Sequence, residues 1–279
     1  MATNPLPAET HVGPVTVRVG SIEDVGPFYR QTVGLQMIDR EGDRLALGTN
    51  DTGLLYLVED PSAPSRPRDA AGLFHLAIRV SDRGALADAL TRIKERSRLT
   101  GASDHLVSEA LYLRDPEGNG VEIYCDRPRE DWRRGEDGRI VMDTLPLDQA
   151  DLREAAHGQA RLPTDTDMGH VHLEVTDLER SVQFYGDRLG MNLQDNGWNG
   201  AAFLAAGDYH HHVGLNTWNG RTGPVGDTRG LVSFELVLPN EASLSTLVAR
   251  LEAAGHEIDR ENGTAVTDPD GIGIVLRTD

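Results

Sequence analysis

A chain of 279 residues, 38% hydrophobic and 26% charged, has room for about two domains, each able to bury its own core. Its formal charge of −18 argues against a nucleic-acid partner, because phosphate binding needs clustered cations. A single cysteine, Cys125, rules out intrachain disulfides and a Cys-based zinc site; the lack of a long apolar run or a secretory signal at Met1–Pro5 leads to the expectation of a cytoplasmic protein without membrane contact.

In chain order, Val15-Thr-Val-Arg-Val19 alternates as a strand and is followed by Phe28-Tyr29 and Gly34-Leu35. The same sequence of features returns as Val171-His-Leu-Glu-Val175, Phe184-Tyr185 and Gly190-Met191, at a constant offset of 156. Gly72-Leu73 with Val80 returns as Gly230-Leu231 with Leu238, and Asp115-Pro-Glu-Gly-Asn-Gly120 as Asp268-Pro-Asp-Gly-Ile-Gly273. Ala and Leu at helical spacing predict helices over 84–95 and 241–255, between strand and hairpin. The chain is therefore read as α+β, with four βαβββ-like modules paired into halves of residues 1–126 and 167–279. Residues 127–166, rich in Asp, Glu, Arg and Pro, read as a charged linker with a short helix near 147–156.

Chemistry concentrates in modules two and three. Glu109–Leu113 and Val121–Tyr124 read as strands of a hairpin whose turn is Asp115–Gly120. Glu122, flanked by Val121 and Ile123, is a carboxylate in a core strand, which is costly unless it is paired or bound to metal. His75 lies in an apolar strand, where a histidine is more often a hydrogen-bonded core residue than a ligand. Its register with His170, in the matching strand of module three, favours a ligand. His170 and His172 share a strand face by the two-residue period. Tyr209-His-His-His-Val-Gly-Leu-Asn216 is expected to be the last strand of that module, with His210 and His212 on one face and His211 on the other.

The spacing from His105 through Tyr112, Asp115-Pro116 and Gly118 to Glu122 resembles the signature of the extradiol, ring-cleaving dioxygenases. Ser103 is a small departure from it. Gly214-Leu-Asn-Thr-Trp218 likewise resembles the catechol 2,3-dioxygenase-like branch of the vicinal-oxygen-chelate superfamily. The resemblance implies two domains of that type and a metal cleft with a ligand on the first strand and another on the last strand of a module. At those positions the four first strands carry Pro14, His75, His170 and Ser233, and the last strands of modules two and four carry Glu122 and Val275. The implied metal ligands are His75, His170 and Glu122, a two-histidine, one-carboxylate set suited to Fe(II), with Mn(II) as a substitute. His170 comes from the other half of the chain, so modules two and three must face each other or a homo-oligomer must supply it from a second subunit.

The implied catalytic residues are His212 as acid/base and His105 and Tyr112 as hydrogen-bond partners of a catechol oxygen. The expected activity is extradiol cleavage of an aromatic diol with O2. Two alternatives stay open: a glyoxalase-type isomerase or lyase using His75, Glu122, His170 and His212 as four ligands, and a metal-free protein that sequesters an antibiotic. Lys94 is the only lysine among 27 cations, and with the acidic excess this predicts adaptation to concentrated salt.

Overall fold

A computed structural model describes residues 4–278, apart from Asp137, Asn196 and Asn262. Module one contains β1 (His11–Val19), β2 (Gln36–Glu41), β3 (Arg44–Thr49) and β4 (Thr52–Glu59). Module two contains β5 (Gly72–Arg79), β6 (Gly101–Asp104), β7 (Ser108–Arg114) and β8 (Gly120–Asp126), with the two-residue β9 (Leu145–Pro146) following in the linker. Module three contains β10 (Asp167–Glu174), β11 (Asn192–Asp195), β12 (Ala201–Ala205) and β13 (Val213–Asn216). Module four contains β14 (Gly230–Leu238), β15 (Thr264–Thr267) and β16 (Gly273–Thr278). One sheet runs β15-β16-β14-β1-β4-β3-β2 and the other β11-β12-β13-β10-β5-β8-β7-β6-β9. The fold is α+β, as the repeat offsets predict.

The helices are α1 (Ile22–Pro27), α2 (Arg83–Arg96), α3 (Gln149–Glu154), α4 (Leu178–Val182) and α5 (Glu241–Ala253). Each begins behind a short polar side chain that accepts an otherwise unpaired backbone N–H: Ser21, Asp82, Asp148, Asp177 and Asn240. The two long helices fall where the periodicity puts them, and the linker helix lies within the stretch 147–156. After α1 and α4 the chain widens into one π-helical turn, Phe28–Val33 and Gln183–Arg188. That turn aims Tyr29 and Tyr185, both fully buried, at the Asp-Pro hairpins. The Tyr29 hydroxyl donates to Asp115 and that of Tyr185 to Asp268, each at 3.1 Å. The repeated Phe-Tyr and Asp-Pro motifs are thus two ends of one hydrogen bond.

By contact the chain divides into two compact units, one of Met1–Thr16, Pro64–Phe74 and His170–Asp279, the other of Val17–Ala63 and His75–Gly169. In the second unit, Ala77, Ala110 and Tyr124 form a buried cluster against which Tyr112 packs. The end of the linker is fastened there to α2: buried Asp88 accepts the N–H groups of Gly158 and Gln159. In the first unit, α5 packs on β14 and β16. Cys125 is buried, which pushes its thiol up to about 12 and removes it as a thiolate ligand. Among the described residues no helix is long and apolar enough to cross a membrane.

Candidate metal centre

The β7–β8 hairpin sets Tyr112 directly opposite Glu122. β5 runs parallel to β8 with Ala77 beside Glu122, so His75, two residues earlier, projects from the same face. His75 Nε2 lies 2.9 Å from a Glu122 carboxylate oxygen, and both residues are buried. Burial, then the charge of Glu122 and a hydrogen bond to it, hold the Tyr112 phenol well above its ordinary range. Tyr112 therefore stays a proton donor. Its oxygen also lies 2.7 Å from His105 Nε2, while His105 Nδ1 lies 2.8 Å from the Asp143 carbonyl oxygen. A carbonyl only accepts, so His105 Nδ1 carries a proton. The phenol has one proton and two neighbours that can take it, which makes His105, Tyr112 and Glu122 a path along which a proton can move.

The corresponding module-four elements show the same backbone without the chemistry. Glu235 sits beside Val275, and Ala265 opposes Val275, as Ala77 sits beside Glu122 and Tyr112 opposes it. Ser233 and Val275 thus occupy the positions of His75 and Glu122, as the offsets predict.

In module three, β10 and β13 run parallel, with Val171 beside Val213 and His172 beside Gly214. The expected strand over Tyr209–Asn216 is shorter, beginning at Val213; Tyr209, His210 and His212 lie in bends. The Tyr209 ring lies 4.0 Å from that of His210 and 4.9 Å from that of His212, a clustering that an alternating strand cannot make. His211 brings its ring against His170, with centroids 4.1 Å apart; His210 is at 6.2 Å. His212 Nδ1 accepts the Ala206 N–H at 3.1 Å, which puts the proton of the neutral ring on Nε2.

His75, Glu122 and His170 form a group able to hold a metal ion, with one donor atom of each lying within 4.8 Å of the others. Two donors at about 2.1 Å from one metal and at right angles are about 3 Å apart, close to the His75–Glu122 separation. Two imidazoles and a carboxylate suit a divalent first-row metal. Gly169, immediately before His170, leaves room for Tyr124: a Cβ there would fall 1.8 Å from the Tyr124 hydroxyl oxygen.

Three features escape the sequence reading. The ring of His211 packs against that of His170. An aromatic surface continues from it through Phe203 (4.9 Å from His211) to His172 (5.7 Å from Phe203), and from His172 to Phe74 and Trp218 at 5.1 and 5.5 Å. Beyond them, buried Glu174 accepts from Arg66, Asn219 and Arg221. The one signal for them in the sequence is the two-residue alternation of β10, which puts Glu174 on the face of His170 and His172.

A family model described as the Glyoxalase/Bleomycin resistance protein/Dioxygenase superfamily matches residues 11–123 and again 167–276. The chain belongs to that superfamily. Within the superfamily it is 42% identical to the catechol-2,3-dioxygenase of Bacillus subtilis (strain 168), over 271 residues and 94% of each chain. Solved structures with the same fold include a Bacillus subtilis protein (TM-score 0.66, 13% identity, covering 99% of this chain and 86% of that one). They also include glyoxalase I from Zea mays (TM-score 0.60, 19% identity, 96% and 92%). At such identities these two structures bear on the fold alone.

Proposed function

We propose that this superfamily member is an extradiol dioxygenase that opens a catechol-type ring with O2, using Fe(II) held by His75, His170 and Glu122. The observation that carries the reading is the 42% identity to a catechol-2,3-dioxygenase over nearly the whole chain. The donor set supports it, since two histidines and one carboxylate leave positions for both substrates. A divalent metal held by His75, His170 and Glu122 would supply Lewis acidity and open coordination positions for the two substrates. The chain's own residues supply position and protons.

Tyr112 holds Glu122 in place and gives a catechol oxygen a donor and a route for its proton to His105 Nε2, with the Asp143 carbonyl holding the imidazole through Nδ1–H. The reading also needs an acid/base group on the module-three side. His212 is the residue the family resemblance points to. His211 fits the geometry better, because its ring abuts His170, and because Nε2 of neutral His212 already bears a proton and cannot accept one. The same point weighs against the four-ligand, glyoxalase-type set, in which His212 would be a donor to the metal. In this reading residues 1–126 and 167–279 are the two superfamily-type domains and 127–166 the linker, in a protein of the cytoplasm.

The test is anaerobic purification, iron loading and addition of catechol with O2. Oxygen uptake with the yellow absorbance of a ring-opened semialdehyde is expected. His211→Ala should lower turnover about 10²- to 10⁴-fold with iron retained. No oxygen uptake across several catechols would sink the reading; a slow His212→Ala with a normal His211→Ala would restore His212 to the role.

A further inference from the structure

Ring cleavage as set out above makes no use of the aromatic surface or of the buried ion cluster at its end. His170, His172 and Glu174 lie on one face of β10, and at about 3.3 Å per residue Glu174 is roughly 13 Å along the strand from His170. The rings of His211, Phe203, His172 and Trp218 fill that interval. At its far end Glu174, 2% exposed, accepts from Arg66 Nη2 at 2.6 Å and from Arg221 Nη2 at 2.7 Å. Two guanidinium groups donate to this one carboxylate beside a wall of rings.

Arg221 is the better placed of the two to receive an anion. Its side chain is 14% exposed, it spends one of its five N–H donors on Glu174, and its Nε–H is buried without an acceptor. Its remaining Nη–H donors are not used by Glu174, and a carboxylate reaching the exposed part of the guanidinium would take them in a charge-assisted pair. Trp218, three residues before it and half-exposed, borders the same surface.

We propose that the substrate is a catechol bearing a short acidic side chain, its ring laid along His172, Phe203 and Trp218 and its carboxylate taken by Arg221. This rests on the dioxygenase reading and adds the substrate class. A ring carrying a two- or three-carbon acid chain matches a span of this order, and a bare catechol leaves the Arg221 end empty.

The iron-loaded enzyme is given 3-(3,4-dihydroxyphenyl)propanoate and, separately, its methyl ester. The acid is expected to have the larger kcat/KM by about 10- to 100-fold, and Arg221→Gln to bring the ratio toward one. A merely structural role for Arg221 would lower both substrates alike and leave the ratio unchanged, which overturns the proposal. A second readout needs neither metal nor turnover: calorimetry of metal-free protein with 3-phenylpropanoate and with 3-phenylpropanol, neither of which chelates. Binding of the acid at least tenfold tighter, weakened by salt, is expected. This measurement decides the matter on wild-type protein should the variant not fold. Equal cleavage of acid and ester with equal binding of acid and alcohol overturns the anionic subsite and leaves the dioxygenase standing. Selective binding of the acid without cleavage of any diol keeps the subsite and overturns the dioxygenase.

Discussion

Glu122 and Asp268 are both buried carboxylates, and their surroundings give them opposite uses. Glu122 faces His75 and Tyr112 and has the company of a ligand. Glu122→Gln should therefore abolish metal retention, measured by elemental analysis, while the circular dichroism spectrum and unfolding midpoint stay near wild type. Val275 at the sister position shows that the hairpin closes without a carboxylate. Loss of folding in the variant would make Glu122 structural instead. Asp268 is raised to about 6, first because burial disfavours its charge. A folded pKa above the unfolded value of 3.8 means that the native state binds this proton more tightly. Its stabilisation is complete below about pH 4 and is lost as pH rises toward 6, an effect of about 3 kcal/mol at most. Asp268→Asn keeps an acceptor for the Asp270 and Ile272 N–H groups and removes the titration. Denaturant unfolding between pH 4 and 7 should show wild type losing stability relative to the variant. Parallel curves would mean that Asp268 is ionised throughout.

Gly169 makes the most specific prediction among the strands. Gly169→Ala puts a methyl group into the space of the Tyr124 hydroxyl, one residue from His170, and should destabilise the protein by about 1–3 kcal/mol. Tyr124→Phe should relieve only part of this, because the ring carbon behind the hydroxyl would still lie 2.6 Å from the added Cβ. An additive double mutant would show that the two residues do not meet. The elements themselves were largely legible in the sequence. Repeat offsets locate the first strand of each module and the hairpin turns of modules two and four, and the pairing of Tyr112 with Glu122 follows from a hairpin of known turn length. The histidine run was misread because strand alternation was extended through Tyr209–His212. The chain bends there, Tyr209 packs against the rings of His210 and His212, and the ring of His211 lies against His170. The π-helical turns and the Arg66–Glu174–Arg221 cluster were invisible, since neither has a period and the cluster joins residues more than 100 positions apart.

For the whole molecule the dominant quantity is its charge. At −18 with 45 acidic side chains, self-repulsion opposes the compact state, and the Debye length shrinks from about 10 Å at 0.1 M salt to about 3 Å at 1 M. The unfolding midpoint should therefore rise markedly between dilute buffer and molar salt, with activity following. Equal midpoints at both concentrations would count against salt adaptation.

The duplicated hairpin has a further consequence. Asp115 and Asp268 each accept the N–H groups two and four residues ahead and a buried tyrosine hydroxyl, and Gly118 and Gly271 turn at φ of 91° and 86°. What the two copies share is scaffold. Tyr112 and Glu122 become Ala265 and Val275 in the second copy, so chemistry is what remains when one hairpin is subtracted from the other. The molecule thus contains its own control. An injury matched in both hairpins reports on folding, and the excess suffered by the first measures catalysis without reference to any other protein.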